Sequence, residues 1–116
     1  IGSNNANEIS KKILDRFSSH NILNFVDKFT FNQTAEIIKK AKLLICCDGG
    51  LMHAANALKT PILAIFARLK PQMQLTDSIV SFSLFDNEDV NNINVSAILE
   101  EYSKFTNFAY NRLPFE

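Results

Sequence analysis

The residues best suited to chemistry form one short segment, Cys47-Asp48-Gly49-Gly50-Leu51-Met52-His53. It supplies a carboxylate from Asp48 and an imidazole from His53. Gly49 and Gly50 have no Cβ, so the chain can turn sharply there and a ligand can approach the backbone amides closely. A carboxylate, accessible amides and an imidazole within seven residues suit the binding of a polar, anionic ligand.

The elements on either side decide how this segment is presented. The apolar run over residues 43–47 predicts a parallel strand covered on both faces, and the Ala-rich run over 51–58 predicts a short helix. Ligands of open α/β sheets bind beyond the carboxyl ends of the strands. A helix N-terminus there offers free N–H groups to an anion, most commonly phosphate. We therefore expect the amides of Gly49 and Gly50 and the start of the following helix to form an anion site next to Asp48, with His53 as a further donor.

Simpler interpretations of the same segment stay open at this point. Asp-Gly is a hairpin signal when two strands flank it, although the residues that follow favour a helix. Asp48 could serve only as a helix cap. His53 could be an ordinary surface or core residue.

A second loop is predicted to reach the same edge of the sheet. It leaves the apolar strand predicted over residues 62–66 and carries Arg68 and Lys70. Two cations beside Asp48 could contact a bound phosphate. The alternative is a basic loop exposed to solvent.

The rest of the chain alternates between helical and strand patterns. An apolar stripe predicts a first helix, formed by Ile9, Ile13, Leu14 and Phe17, and a short strand is predicted over residues 22–26. Thr30 and Gln33 fit a capping box that opens a second helix. An edge strand over 78–83 and a last helix over 94–105 complete the order. This alternation predicts an α/β fold, a Rossmann-like three-layer sandwich with a mostly parallel sheet.

Composition narrows the classes of protein. The chain has 116 residues and a formal net charge of +0, which suits one domain and argues against a broad nucleic-acid surface. No apolar run reaches the length of a membrane span, and cysteine and histidine spacing predicts no metal site. Cys46 and Cys47 are predicted to be unpaired, buried thiols in a reducing cytoplasm. The first residues look like the end of a strand, so we expect the sequence to be cut from a longer protein.

The segment over residues 34–66 resembles the C-terminal domain of family 9 glycosyltransferases, the ADP-heptose:lipopolysaccharide heptosyltransferases and their relatives. The family pattern is helix, apolar strand, Asp-Ser/Thr-Gly-x-x-His, small-residue helix, Pro and apolar strand. Asp48, Gly50, His53 and Pro61 match it in register. Weaker similarity extends the resemblance over roughly residues 1–105, through Gly2, Glu8, Thr30 and the helix from Asn94.

The resemblance implies the C-terminal half of a GT-B glycosyltransferase. Residues 1–105 would form the Rossmann-like donor-binding domain without its first strand-helix unit, and residues 106–116 a C-terminal tail. Asp48 would contact the donor sugar, the amides of Gly49, Gly50 and Leu51 would hold the pyrophosphate, and His53 would support that loop. The catalytic base and the acceptor site would lie in an N-terminal domain outside this sequence, so this fragment alone is expected to be inactive.

The implied reaction needs no metal and no cofactor, and a nucleotide-diphosphate sugar is the substrate. The sugar, with heptose as one candidate, would pass with inversion to lipopolysaccharide or another surface glycan. The implied location is the cytoplasm, at the inner face of the membrane, with peripheral association of the full-length protein. The expected partners are the donor and a glycan or lipid-linked acceptor, but not nucleic acid.

Four departures from the family pattern bear on the donor. Gly49 replaces a Ser or Thr, Lys59 replaces a Gly, Asn32 stands where relatives are often acidic, and residues 67–71 replace Gly-Pro-Thr-Asp-Pro. Two rival functions remain. One is a GT-B nucleotide-sugar epimerase, although such enzymes usually have an acidic residue at the position of His53. The other is a non-catalytic relative used for assembly.

Overall fold

The computed structural model of the chain describes residues 1–68, 71 and 80–112. The chain consists of two compact units, residues 1–37 and residues 38–116. Short 3-10 helices lie at Asn4–Ala6 and Val90–Asn92. The main elements in chain order are α1 (Asn7–Arg16), α2 (Phe31–Lys40), β1 (Leu44–Cys47), α3 (Gly50–Leu58), β2 (Ile62–Ala67), β3 (Ser81–Asp86) and α4 (Val95–Arg112).

The second unit contains a parallel sheet in the order β1-β2-β3. Leu44 pairs with Ile62 at one end of the register, and Ala67 pairs with Asp86 at the other. All three strands therefore begin at one edge of the sheet and end at the opposite edge. The predicted α/β class and parallel sheet are confirmed.

Helices cover the two faces of the sheet. On one face, alternate residues of β2 pack with α3 and the end of α2, in a buried cluster of Ile38, Leu44, Met52, Ala55, Ile62, Ala64 and Phe66. On the other face, Phe82 of β3 contacts the rings of Phe105 and Phe108 of α4, with centroids 6.2 Å and 6.5 Å apart. Because side chains alternate along a strand, Leu63 lies on the same face as Phe82 and is fully buried. The arrangement is the predicted three-layer, Rossmann-like sandwich.

The outer strand β1 is less covered than the sequence predicted. Ile45 is 51% exposed and Cys47 is exposed, whereas Cys46 is half-buried. Ile45 and Cys47 lie on the face that α4 covers, but α4 packs against β3 at the far side of the sheet. The expectation of full cover was therefore wrong for β1, and that of two buried thiols was wrong for Cys47. Both cysteines are free thiols, as predicted.

Hydrogen bonds fix the ends of the helices as their residue types predict. Gln33 N donates to Thr30 Oγ1 and Thr30 N donates to Gln33 Oε1, at 3.3 Å and 3.0 Å, which confirms the capping box of α2. Asn94 caps α4 by accepting from Ala97 N at 2.8 Å. Since each bond satisfies an amide that the helix leaves without a partner, these two helix starts were predictable.

Three boundaries differ from prediction. The strand expected over residues 22–26 is reduced to one bridge between Gly2 and Val26, because Asn24 Oδ1 accepts the amide of Val26 at 3.0 Å and so competes with a strand ladder. The strand expected over 78–83 begins at Ser81 and ends at Asp86; residues 78 and 79 lie outside the described ones. The last helix continues past residue 105 to Arg112, since Phe108 packs on the sheet. The division into a domain and a tail at residue 105 stays a prediction.

Candidate functional site

The carboxyl edge of the sheet collects the ends of all three strands. Asp48 follows β1, Arg68 follows β2 and Asp86 ends β3. Two backbone bonds fix this edge: Asp48 N donates to Ile65 O at 3.2 Å, and Arg68 N donates to Asp86 O at 3.3 Å. The topology therefore places Asp48 and the Arg68 loop side by side, as the sequence predicted.

The loop between β1 and α3 presents amides that the chain leaves unused. The first bond of α3 runs from His53 N to Gly49 O at 3.2 Å, and Gly49, at the N-cap position, makes no side-chain cap bond. Within the part of the chain that the structure describes, the amides of Gly49, Gly50 and Leu51 have no hydrogen-bond acceptor. Three such donors at the positive end of a helix dipole are suited to an anion.

The loop is also open to solvent. Gly49 and Gly50 are exposed, and a Cβ added to Gly49 would meet no atom within 4 Å. A strand and a helix flank the loop, so the hairpin alternative is wrong. The helix cap is Gly49 with no side-chain bond, so the alternative of Asp48 as a simple cap is wrong as well.

Asp48 and His53 flank the unpaired amides in sequence, and their side chains lie near each other. His53 Nε2 lies 4.0 Å from Asp48 Oδ1, and the two side chains are 54% and 25% exposed. This separation exceeds a hydrogen bond, so the pair attracts only when the imidazole is protonated. Both side chains keep free capacity to bind a ligand at this edge.

The second loop contributes one described cation. Arg68 is exposed, with a left-handed φ of 70°. The predicted contact of Lys70 lies outside the described residues. Arg68 is therefore the cation that the described structure places at the carboxyl edge beside the glycine loop.

Sequence reasoning missed Asp86 at this edge, because the edge strand was predicted to end at residue 83. Asp86 Oδ1 accepts bonds from the amides of Glu88 and Asp89, at 2.9 Å and 3.0 Å, and from Asn92 Nδ2 at 3.1 Å. These bonds, the one from Asp89 first, lower the pKa of the Asp86 carboxyl below its ordinary value. The alternation of Ser81 and Ser83 with Phe82 and Leu84 was the signal that β3 continues past residue 83.

Two thiols precede the site, and their environments differ. Burial, with smaller contributions from Cys47 and Asp48, raises the pKa of the Cys46 thiol to about 11. Cys47 is exposed, one residue before Asp48.

The described part of the chain shows neither a metal site nor a membrane-spanning helix. No three of the described His, Cys, Asp or Glu side chains are grouped so that they could hold a metal ion. Each described helix is too short or too polar to span a bilayer.

The fold and the site together define an α/β domain with a loop of unpaired backbone amides at the carboxyl edge of its parallel sheet. The family model of glycosyltransferase family 9 (heptosyltransferase) matches residues 1–102. The chain therefore belongs to glycosyltransferase family 9, whose members have the GT-B fold. No curated protein and no solved structure gives a significant match to the chain.

Proposed function

We propose that this chain is the donor-binding domain of a glycosyltransferase that uses a nucleotide-diphosphate sugar and acts on lipopolysaccharide or another surface glycan. Membership in family 9 supports glycosyl transfer as the reaction class. The observation that carries the donor role is the trio of unpaired amides at Gly49, Gly50 and Leu51, in a loop whose two glycines are exposed. A diphosphate placed against them would meet the positive end of α3.

Each neighbouring side chain has a role in this proposal. Asp48 accepts hydrogen bonds from hydroxyl groups of the donor sugar, and His53 donates to the diphosphate. Arg68, with Lys70, supplies positive charge to the same group. Amides and a helix dipole stabilise charge as it develops on a leaving diphosphate, so this chemistry requires no metal. The catalytic base lies in a second domain, and the proposed place of work is the cytoplasmic side of the membrane.

A titration with ADP, UDP, GDP and CDP, followed by backbone amide chemical shifts, tests the donor role. We expect the preferred nucleotide to shift the amides of Gly49, Gly50 and Leu51 and to leave Gly2, in the other unit, unchanged. Gly50→Pro removes one amide at the first helical position, where proline is tolerated. We expect it to weaken binding by at least about tenfold, because a hydrogen bond to a charged group contributes about 1.5–3 kcal/mol.

Gly50→Ala is the matched control, because it adds a Cβ and keeps the amide. It should bind as the parent chain does. Equal loss in both variants would assign the effect to loop shape rather than to the amide. If no nucleotide binds this chain or a two-domain enzyme that contains it, the non-catalytic alternative becomes the better interpretation.

A further inference from the structure

The amino edge of the sheet, opposite the candidate donor site, carries a cluster of exposed lysines. Two of them lie at the end of α2, one precedes β1 and one follows α3. We call the set the lysine edge: Lys39, Lys40, Lys42 and Lys59.

Two hydrogen bonds hold these segments together. Thr60 Oγ1 donates to Ile38 O at 2.9 Å, which joins the residue after Lys59 to the end of α2. Leu44 N donates to Pro61 O at 2.9 Å and joins the starts of the two strands. Lysines that are up to 20 residues apart in sequence therefore share one edge of the fold.

The positive charge of this edge is only partly balanced, since Glu36, one turn before Lys40 in α2, is the acidic residue nearest in sequence to the four lysines. Although the whole chain has a net charge of +0, Asp48 is the single acidic residue between positions 38 and 68, and it lies at the other end of the sheet. The described ion pairs use Lys12, His53 and Lys104, and none uses a member of the lysine edge. A helix C-terminus favours a nearby cation, but that preference leaves the lysine side chains free to bind an anionic partner.

We propose that the lysine edge binds the surface of a membrane that contains anionic phospholipids. Clusters of four or more cations bind such surfaces because they are attracted to the negatively charged headgroups of the lipids. Nucleic-acid sites rely on arginine and aromatic side chains as well, and residues 38–43 and 59–61 contain neither.

The lysine edge and the glycine loop lie at opposite ends of β1, which spans about 13 Å. A bound membrane would therefore leave the glycine loop facing the water, where a soluble donor arrives.

Co-sedimentation of the chain with lipid vesicles tests this surface. We expect binding to vesicles of phosphatidylglycerol with phosphatidylcholine, loss of binding as salt is raised, and no binding to phosphatidylcholine alone. Each lysine near such a surface strengthens binding about fivefold. Changing all four lysines of the edge to Gln should then weaken binding by several hundredfold, on the order of the product of four such factors.

A variant with the same change of net charge is the control. Lys11→Gln, Lys12→Gln, Arg16→Gln and Lys28→Gln together remove four exposed cations from the other unit. This variant should keep most of the binding. An equal loss in the two variants would overturn the proposal, as would tighter binding of the parent chain to single-stranded RNA than to the anionic vesicles. Circular dichroism of each variant verifies that the fold is retained, and the result does not depend on donor binding.

Discussion

Lys59 adopts a backbone conformation that destabilises the folded protein. It ends α3 in the left-handed conformation, with φ 61° and ψ 28°, and donates its amide to the carbonyls of Ala55 and Asn56. The family resemblance places glycine here, and the structure confirms that the position has a positive φ. A side chain with a Cβ costs roughly 1–2 kcal/mol in this conformation.

Lys59→Gly should therefore stabilise the protein by about 1 kcal/mol, because glycine adopts this conformation without strain. Urea unfolding measures the change in the free energy of unfolding. Lys59→Ala removes the same charge and keeps the Cβ, so it should give no gain. A gain in Lys59→Ala as large as in Lys59→Gly would trace the effect to charge instead of backbone conformation.

Asp86 predicts a dependence of stability on pH. The pKa of its carboxyl is lowered in the folded state from the ordinary value of 3.8, so the folded protein binds the proton less readily than the unfolded chain does. The resulting stabilisation is present above pH 3.8 and is lost as the pH falls through the lower, folded value.

Asp86→Asn should lower the thermal midpoint at neutral pH and differ less from the parent chain as the solution becomes acidic below that range. Thermal unfolding followed by circular dichroism at several pH values measures this. Glu88→Gln removes a neighbouring exposed charge and serves as the control. A difference between Asp86→Asn and the parent that stays constant with pH would contradict the assigned role of the carboxylate.

At the scale of elements, patterns of residues close in sequence predicted some features of the fold and failed to predict others. The capping box at Thr30 and the glycine loop after β1 were predictable because each depends on residues close in sequence. The strand over residues 22–26 was not, since Asn24 satisfies the amide of Val26 locally. Asp86 was missed because its position depends on the register of β3 against β2, a long-range property.

Thr60 follows α3, bonds to the end of α2 and is a buried polar residue of the core, 3% exposed. Thr60→Val keeps the shape and removes the bond to Ile38 O, while Ala41 N still donates to that carbonyl at 3.0 Å. We therefore expect a loss of about 1 kcal/mol in the free energy of unfolding. Thr106→Val, at an exposed site in α4, should cost much less in the same denaturant measurement. Equal costs would show that the buried bond adds nothing.

At the scale of the whole molecule, the two compact units differ in how deeply they bury apolar residues. Ile62, Leu63, Ala64 and Phe66 of β2 are fully buried, whereas α1 has no buried residue. A helix of ten residues gains little stability from its own backbone bonds. The second unit is therefore the stable part of the fold and holds both the glycine loop and the lysine edge.

Amide hydrogen exchange should reveal this difference. We expect amides of β2 to exchange slowest and those of α1 at least about a hundredfold faster, because elements with few buried contacts open locally. Exchange measured by NMR resolves both elements in one sample, so each serves as the reference for the other. Equal protection in α1 and β2 would mean that the chain opens only as a whole.

The unequal thiols of β1 offer a practical way to observe the site. Cys46 has a pKa of about 11, so at mildly alkaline pH it holds little thiolate and reacts slowly with alkylating dyes. Cys47 is exposed and adjoins Asp48, so a fluorophore can be attached there without engineering the chain. Its emission would then report, in real time, whether the neighbouring loop is occupied.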